Sequence, residues 1–335
     1  MLKVLNPGFF ATIQDLGRTG FLAFGVPQAG ALDDYACRAA NLLAGNDENA
    51  PLLELTMFGG EYEFCADTLI ALAGADMAAE LDGAPLGNWS SRRVKKGQKL
   101  ALSFAGSGCR AYLAVAGGFK IAKTMGSCST HTRSGIGGME GRPLRKGDLL
   151  PMAESAGGQE KNLPGELKPT AVPPLLRVLP GPQADAFSGD VFAVLESEEY
   201  LIEADSDRMG YRLRGPSLKH KAGADIISDA LISGGVQAPG SGQPIIMLND
   251  CQTTGGYTKL CFVVSPDLPL LAQCRPGDRI KFRAVTEEES LLALEEYKGR
   301  LARLREFAKE KTPARLWRLT VSSKRYDIEI EEVYK

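Results

Sequence analysis

Three short segments of this 335-residue chain concentrate groups that could grip a small polar molecule. Thr12-Ile13-Gln14-Asp15-Leu16-Gly17-Arg18 places an amide, a carboxylate and a guanidinium in one Gly-terminated turn. Asp207-Arg208-Met209-Gly210-Tyr211-Arg212-Leu213 alternates charge with apolar residues, which predicts Arg208 and Arg212 on one strand face with Gly210. Asn249-Asp250-Cys251-Gln252-Thr253-Thr254-Gly255-Gly256-Tyr257 follows an apolar run, the position at which loop-borne binding groups sit. Each segment alone reads equally well as a hydrogen-bonded turn. Together, and with Gln237-Ala238-Pro239 and Gly242-Gln243-Pro244, they point to a site. In it, amides and carboxylates would hold an amide or ureido group and arginines a carboxylate or phosphate. Asp15 and Asp250 are the candidate acid/base or substrate-orienting carboxylates. Arg18, Arg208 and Arg212 are candidate anion contacts, and Gln14, Tyr211, Gln237, Asn249, Gln252, Thr253 and Thr254 candidate hydrogen-bonding groups.

Other chemistry is sought and mostly not met. Gly117-Gly118-Phe119-Lys120-Ile121-Ala122-Lys123-Thr124 approaches a phosphate-binding loop but has Ala122 where that loop needs its second glycine. Ser107 and Ser241 both lack the flanking pattern of a nucleophile elbow. His131 and His220 are too few for a histidine-rich metal site. Gly126-Ser127-Cys128-Ser129-Thr130-His131-Thr132-Arg133-Ser134-Gly135 offers a thiol near an imidazole, or else a polar loop whose hydroxyls and Arg133 contact an anion.

These segments need a scaffold, and the chain reads as mainly β. Glycine (38) and proline (19) are abundant, as many tight turns require. A strand ending in Pro-Gly at Pro7-Gly8, a Gly-Gly at Gly59-Gly60 and a basic-Gly-polar turn at Gly97 recur in order roughly 175 residues later, which predicts two related β units. Lobes of about 1–152 and 175–286 would be joined by a linker at 153–174, rich in glycine and proline. Within the body, Asp33 to Leu43 carries helix start and stop signals. A helix over 287–312 follows, with Leu291, Leu292, Leu294, Tyr297, Leu301, Leu304 and Phe307 at helical spacing and a capping box at Thr286 and Glu289. Alternation in the tail predicts a hairpin over 315–335.

Composition bounds the function. Thirty-nine basic against 41 acidic residues leave a net charge of -2, so the chain presents no global field for a nucleic-acid backbone. No apolar run is long enough to span a bilayer, and the N-terminus lacks a signal-peptide pattern. Seven cysteines, odd in number and without a C-x-x-C, suit reduced thiols in a cytoplasmic protein, which makes Asn88-Trp89-Ser90 a chance sequon.

On these residues the chain resembles the family of the C component of bacterial 5-oxoprolinase, also called allophanate hydrolase subunit 2 or biotin-dependent carboxyltransferase, with its Kip-type regulatory antagonists. The resemblance is carried by the three segments above, by Gly30-Ala31-Leu32-Asp33, by Arg110 to Gly118, by Met125 to Thr130 and by Gly135-Ile136-Gly137-Gly138. It covers about residues 1–290. It implies two cyclophilin-like β-barrel lobes with few short helices, ahead of the C-terminal helix and hairpin. For activity it implies one component of an ATP-dependent 5-oxoprolinase, using ATP with Mg²⁺, inactive alone and working with a partner like the B component and with a third subunit. The alternatives it leaves open are a carboxyltransferase moving CO₂ from carboxybiotin to urea or another amide, and a non-enzymatic regulator that antagonises a kinase inhibitor. The tail resembles the hairpin that precedes biotinyl carrier domains, although no Ala-Met-Lys-Met setting follows before Lys335.

Overall fold

The first 150 residues hold two strand patterns: Glu61-Tyr62-Glu63-Phe64 alternates and so buries one face, whereas Leu69-Ile70-Ala71-Leu72-Ala73 is apolar throughout and so buries two. In the computed structural model, which describes residues 1–154, 158–169, 175–310, 315–321 and 324–330, these strands form two sheets. The six-stranded sheet runs Leu149–Leu150, Leu2–Asn6, Phe58–Phe64, Lys99–Phe104, Glu80–Leu81, Ala84–Pro85. The five-stranded sheet runs Phe10–Gln14, Leu52–Thr56, Ser107–Val115, Thr68–Asp76, Ser90–Val94. Ile13, Leu53, Leu55, Ile70, Leu113 and Val115 pack with Leu2, Val4, Tyr62, Phe64 and Leu100 of the other sheet to form the first core. The opposite face of the five-stranded sheet, with Ala71, Ala73, Tyr112 and Ala114, packs against helix α1 (Asp34–Leu43). Small residues there let the helix approach, and residues on both sides of the strand are therefore buried.

The second half closes on itself. Leu175–Pro180, Lys259–Val263, Gly235–Gln237, Ile245–Met247, Gly210–Arg214, Tyr200–Ile202 and Arg279–Ala284 form a closed barrel filled by Leu176, Val178, Tyr200, Leu213, Val236, Ile246 and Phe282. Leu32 of the first half also joins this core. Two short helices, α2 (Val191–Ser197) and α3 (Leu268–Ala272), belong to this half and are not predicted from periodicity, being too short to display it. A two-stranded ribbon pairs Asp225–Ala230 with Thr254–Tyr257. The chain is thus mainly β, as expected.

The basic-Gly-polar turn is present at both expected positions. Gly97 (φ 89°) donates its N–H to Phe64 O at 2.7 Å, and Gly277 (φ 94°) to Ile202 O at 2.9 Å, a backbone conformation that favours glycine. The same turn occurs a third time at Gly147 (φ 94°), which donates to Val4 O at 2.8 Å. The Gly-Gly pairs are less alike. Gly59-Gly60 lies inside a strand, whereas Gly234 precedes one.

α1 begins one residue later than predicted because Asp33 is its cap, accepting the Ala36 N–H at 2.9 Å. The last helix, α4 (Glu287–Lys309), has the predicted capping box at Thr286 and Glu289. Its C-terminal carbonyls are closed by Lys161, whose ammonium donates to Ala308 O at 2.5 Å and Glu310 O at 2.7 Å. Residues 311 and 312 of the predicted helix lie outside the described residues. Ala293, Tyr297, Leu301 and Leu304 form its buried stripe, while Leu291 and Leu292 are exposed, because positions four and seven apart share a face and these two turn away from it. The stripe packs with α1, Leu163 and Leu167. Residues 155–157 and 170–174 of the expected linker lie outside the described residues. Arg315–Val321 and Lys324–Ile330 pair antiparallel, the hairpin read from the tail, with 322, 323 and 331–335 outside the described residues. Among the described residues no helix is long and apolar enough to cross a membrane.

Leu304→Ala should cost about 2–5 kcal/mol, since the side chain is fully enclosed, whereas Leu292→Ala should stay within roughly 0.5 kcal/mol of the parent. Midpoints of urea unfolding at constant slope check the contrast; equal losses would mean that α4 docks by another face.

Candidate functional site

Glu54 occupies the centre of an otherwise apolar strand, and everything around it follows from the need to compensate that carboxylate. Its strand neighbours in register are Thr12 on one side and Tyr112 on the other. Tyr112 donates its hydroxyl to Glu54 Oε2 at 2.8 Å, and the Leu32 N–H donates to the same oxygen at 2.9 Å. The cation comes from the other half of the chain. Arg208, on the turn before Gly210–Arg214, hydrogen-bonds Glu54 Oε1, donates to Gly30 O at 2.7 Å, and holds Asp250 in a bidentate pair at 2.9 Å through Nε and Nη2. Burial would raise the Glu54 carboxyl, but Arg208 and Arg110 outweigh it and hold the group below the ordinary carboxylate range. Burial likewise works against the Arg208 charge, and Asp250 and Glu54 keep its pKa above the ordinary value.

Traffic also runs the other way. Arg110 donates to Tyr211 Oη at 2.6 Å and Ala272 O at 2.5 Å, and Tyr211 donates onward to Cys274 O at 2.8 Å. Gln273 accepts the N–H groups of Cys109 and Arg110 and donates to Arg110 O and Asp33 Oδ2. The Asn249 side chain donates to Ala31 O at 3.0 Å, and its backbone carbonyl accepts the Ala29 N–H at 2.9 Å. His131 Nε2 lies 3.3 Å from Asp250 O.

The early and late sequence segments therefore meet. Asp15 is buried, its Oδ1 accepting from Gly17 N, Ser127 Oγ and Ser129 Oγ and its Oδ2 from Cys128 N. Gln14 donates to Thr130 O and accepts from Gly30 N. Arg18 donates Nη2 to Ser129 O at 2.5 Å. Burial lowers its pKa, against the opposing pull of Asp15 and Asp250. Thus Gln14, Asp15, Arg18, Arg208, Tyr211, Asn249 and Asp250 are gathered at one seam between the halves.

Others fall elsewhere. Arg208 and Arg212 do not share a face: Arg208 precedes the strand and is buried, while Arg212 points to solvent and pairs with Asp205 at 2.9 Å. Gln237 donates to Tyr257 O at 3.2 Å on the ribbon side of its strand, away from the barrel core that Val236 fills. Gln252 and Thr254 are exposed and Thr253 is half-buried beside the ribbon. Arg133 is exposed, with Asp207 at 3.6 Å. Cys128 is buried, its thiol pushed up chiefly by desolvation and bonded to Ile121 O, which is the opposite of a prepared thiolate.

Sequence reading passed over Glu54, Arg110, Gln273 and the site role of Asp33. Glu54 did leave a signal, a lone carboxylate within Leu52-Leu53-Glu54-Leu55, which buried strands rarely carry unless it is paired. Behind the seam a cleft of about 310 Å³ opens between the halves, walled by Asp33, Tyr35, Trp89, Lys168, Gln273 and Arg300 among others, and none of the residues predicted for binding lines it. At its floor Asp33 is pushed up to about 7, mainly by burial, against the Ala36 and Gln273 donors that favour the charged form.

Arg208→Ala should destabilise by about 3–5 kcal/mol because it strands two buried carboxylates, while Arg212→Ala should cost less than about 1 kcal/mol. Denaturant midpoints decide; similar costs would remove Arg208 from the centre of the seam. Asp33 gives a pH test. Unfolded, it ionises near 3.8; folded, near 7, so rising pH removes a proton from the unfolded state first and stability falls across that window. Asp33→Asn, which keeps a cap acceptor, should therefore gain on the parent in thermal midpoint between about pH 4 and about pH 8, and a pH-independent gap would contradict this.

The chain is 42% identical to the C component of 5-oxoprolinase from Escherichia coli (strain K12) over 301 residues, covering 88% of this chain and 94% of that protein. It is 31% identical to the urea amidolyase of Saccharomyces cerevisiae over 311 residues, covering 86% of this chain but 17% of that much longer protein. The crystal structure of the Kluyveromyces lactis urea carboxylase superposes with a TM-score of 0.85 at 28% identity, over 93% of this chain and 30% of that one. Residues 24–284 match the carboxyltransferase domain family, subdomain A and B, and the chain belongs to that family.

Proposed function

We propose that the chain is the C-type component of an ATP-dependent 5-oxoprolinase, which opens 5-oxoproline to L-glutamate together with a B-type partner and a third subunit in the cytoplasm. The observation that carries this reading is the end-to-end match to a protein named as that component, 94% of which is covered, against 17% of the urea amidolyase. Local chemistry agrees with a shared site. The Cys128 thiol beside Asp15 is pushed up by burial, Asp15 accepts four donors and Asp250 is held bidentate by Arg208, so the chain's own contribution is to grip and orient an amide.

Nucleotide chemistry does not fit this chain's nearest approach to a phosphate loop. A Cβ at Gly117 would meet Ala153 Cβ at 2.9 Å and Glu154 O at 3.2 Å, so a methyl group and a carbonyl oxygen fill the space a phosphate would need. On this reading ATP and its Mg²⁺ would be held by the partner.

A carboxyltransferase acting from carboxybiotin on urea or a related amide is the second reading. It is favoured by the family itself and by the 0.85 TM-score to the K. lactis urea carboxylase. Both substrates present a neutral amide, which is what the seam could recognise in either case.

The chain co-purified with its B-type partner and the third subunit should release glutamate and hydrolyse ATP only when 5-oxoproline is supplied, and the chain alone should do neither. No turnover from a complete set, with urea-dependent consumption of carboxybiotin instead, would replace the first reading by the second.

A further inference from the structure

Arg18 is 2% exposed, yet its Nε and Nη1 have no hydrogen-bond partner among the described residues. A guanidinium carries five donors, and buried donors are almost always satisfied. Here only Nη2 is used, on Ser129 O. The two carboxylates that act on it are already committed. Asp15 takes four donors from Gly17, Ser127, Cys128 and Ser129, and Asp250 is held bidentate by Arg208. The charge of Arg18 is therefore compensated while its hydrogen bonds are not.

The balance of charge selects the missing acceptor. The seam buries the cations Arg18, Arg110 and Arg208 among the carboxylates Asp15, Glu54 and Asp250, with Asp33 behind them on Gln273. A carboxylate arriving at Arg18 would add a further negative charge beside Asp15 and Asp250, and burying uncompensated charge is costly. A carbonyl oxygen has two lone pairs to accept the free N–H groups and brings no net charge. The guanidinium is buried beneath an exposed turn. The turn over it holds Arg133, Ser134 and Gly135, all exposed, and Gly137, where a Cβ would fall 3.0 Å from Arg18 Nη2 and 2.1 Å from Ser129 O. A glycine is needed there, and so no side chain of that residue screens the guanidinium.

We propose that Arg18 is the donor that receives the carbonyl oxygen of a neutral amide, lactam or ureido group admitted beneath the 131–138 turn, in place of the anion contact that the sequence suggests for it. This deepens the amide-substrate reading above and rests on it. The carboxylate of a lactam acid is recognised elsewhere.

The assembled complex tests it with three small probes: 2-pyrrolidinone and urea, which carry the carbonyl without an acid, and cyclopentanecarboxylate, which carries the acid without the amide. Calorimetric titration should show the two neutral amides binding and cyclopentanecarboxylate failing to displace them. Arg18→Lys and Arg18→Gln should each weaken the amides by about tenfold or more, the loss of a charge-assisted hydrogen bond. Hydrogen exchange on the unsubstituted complex reads the same site without relying on a variant that folds: 2-pyrrolidinone should protect the 127–141 segment and cyclopentanecarboxylate should not. Amide binding unchanged in both variants, no neutral-amide binding at all, or protection by the acid instead of the amide would each overturn the proposal. The two readings separate cleanly. Amide binding that depends on Arg18 without 5-oxoproline turnover removes the oxoprolinase and leaves Arg18, whereas turnover with a KM indifferent to Arg18→Lys removes Arg18 and leaves the oxoprolinase.

Discussion

A single guanidinium ties the molecule together. Arg208 comes from the barrel half, and its partners Glu54 and Gly30 come from the sheet half, with Asp250 completing the set from its own side. Neither half could keep this arrangement by itself. Glu54 sits where its strand is buried on both faces, and without Arg208 and Arg110 its ionised form would face a desolvation penalty of several kcal/mol. Arg208 alone would face the same penalty with the opposite sign. The two halves are thus bound by a mutual electrostatic requirement, and apolar contacts such as Leu32 in the barrel core follow the same seam.

That requirement explains why the polar motifs are buried instead of displayed. Asp15 organises the Ser127-Cys128-Ser129 turn by accepting two hydroxyls and a backbone N–H. Gln273 plays the matching part from the barrel side, reading both edges of the Arg110 backbone and reaching Asp33. A small displacement at Asp33 would therefore be felt at Arg110 through Gln273, and at Glu54 through Tyr112, whose hydroxyl accepts the Asp33 N–H and donates to Glu54. Such a chain is stiff, and stiffness is what an orienting site needs.

Much of the architecture could be read in the residues. The cap at Asp33 and the capping box at Thr286 act locally, within four residues, so sequence spacing contains the whole interaction. The motifs around Gln14, Arg208 and Asn249 were legible as a group because their residue types are wasteful as mere turns. What sequence could not supply was direction. Whether Arg208 or Arg212 turns inward depends on where the strand begins relative to the seam, and that is set by Glu54, more than 150 residues away. Gln252, Thr253 and Thr254 looked equivalent to Asn249 and Asp250, yet the ribbon with Asp225–Ala230 draws them outward. Leu291 and Leu292 looked like core for the same reason: a helix shows its period in sequence but not which residues the neighbouring helix will cover.

The family spans proteins named for a lactam and for urea, and their substrates differ in size, charge and fate. A seam that serves both cannot be built around a substrate carboxylate, because urea has none. It can be built around the planar, neutral amide the two have in common, and a charge-balanced cluster suits that task. Because the buried arginines are already met by carboxylates of the same seam, a charged substrate group brought among them would go uncompensated. Selection then falls to hydrogen-bond donors left open within the cluster, where an amide oxygen is the strongest neutral acceptor available. On the proposed reading, what changes from one family member to another is the chemistry brought by partner chains or fused domains, while the buried seam keeps the same grip on the amide.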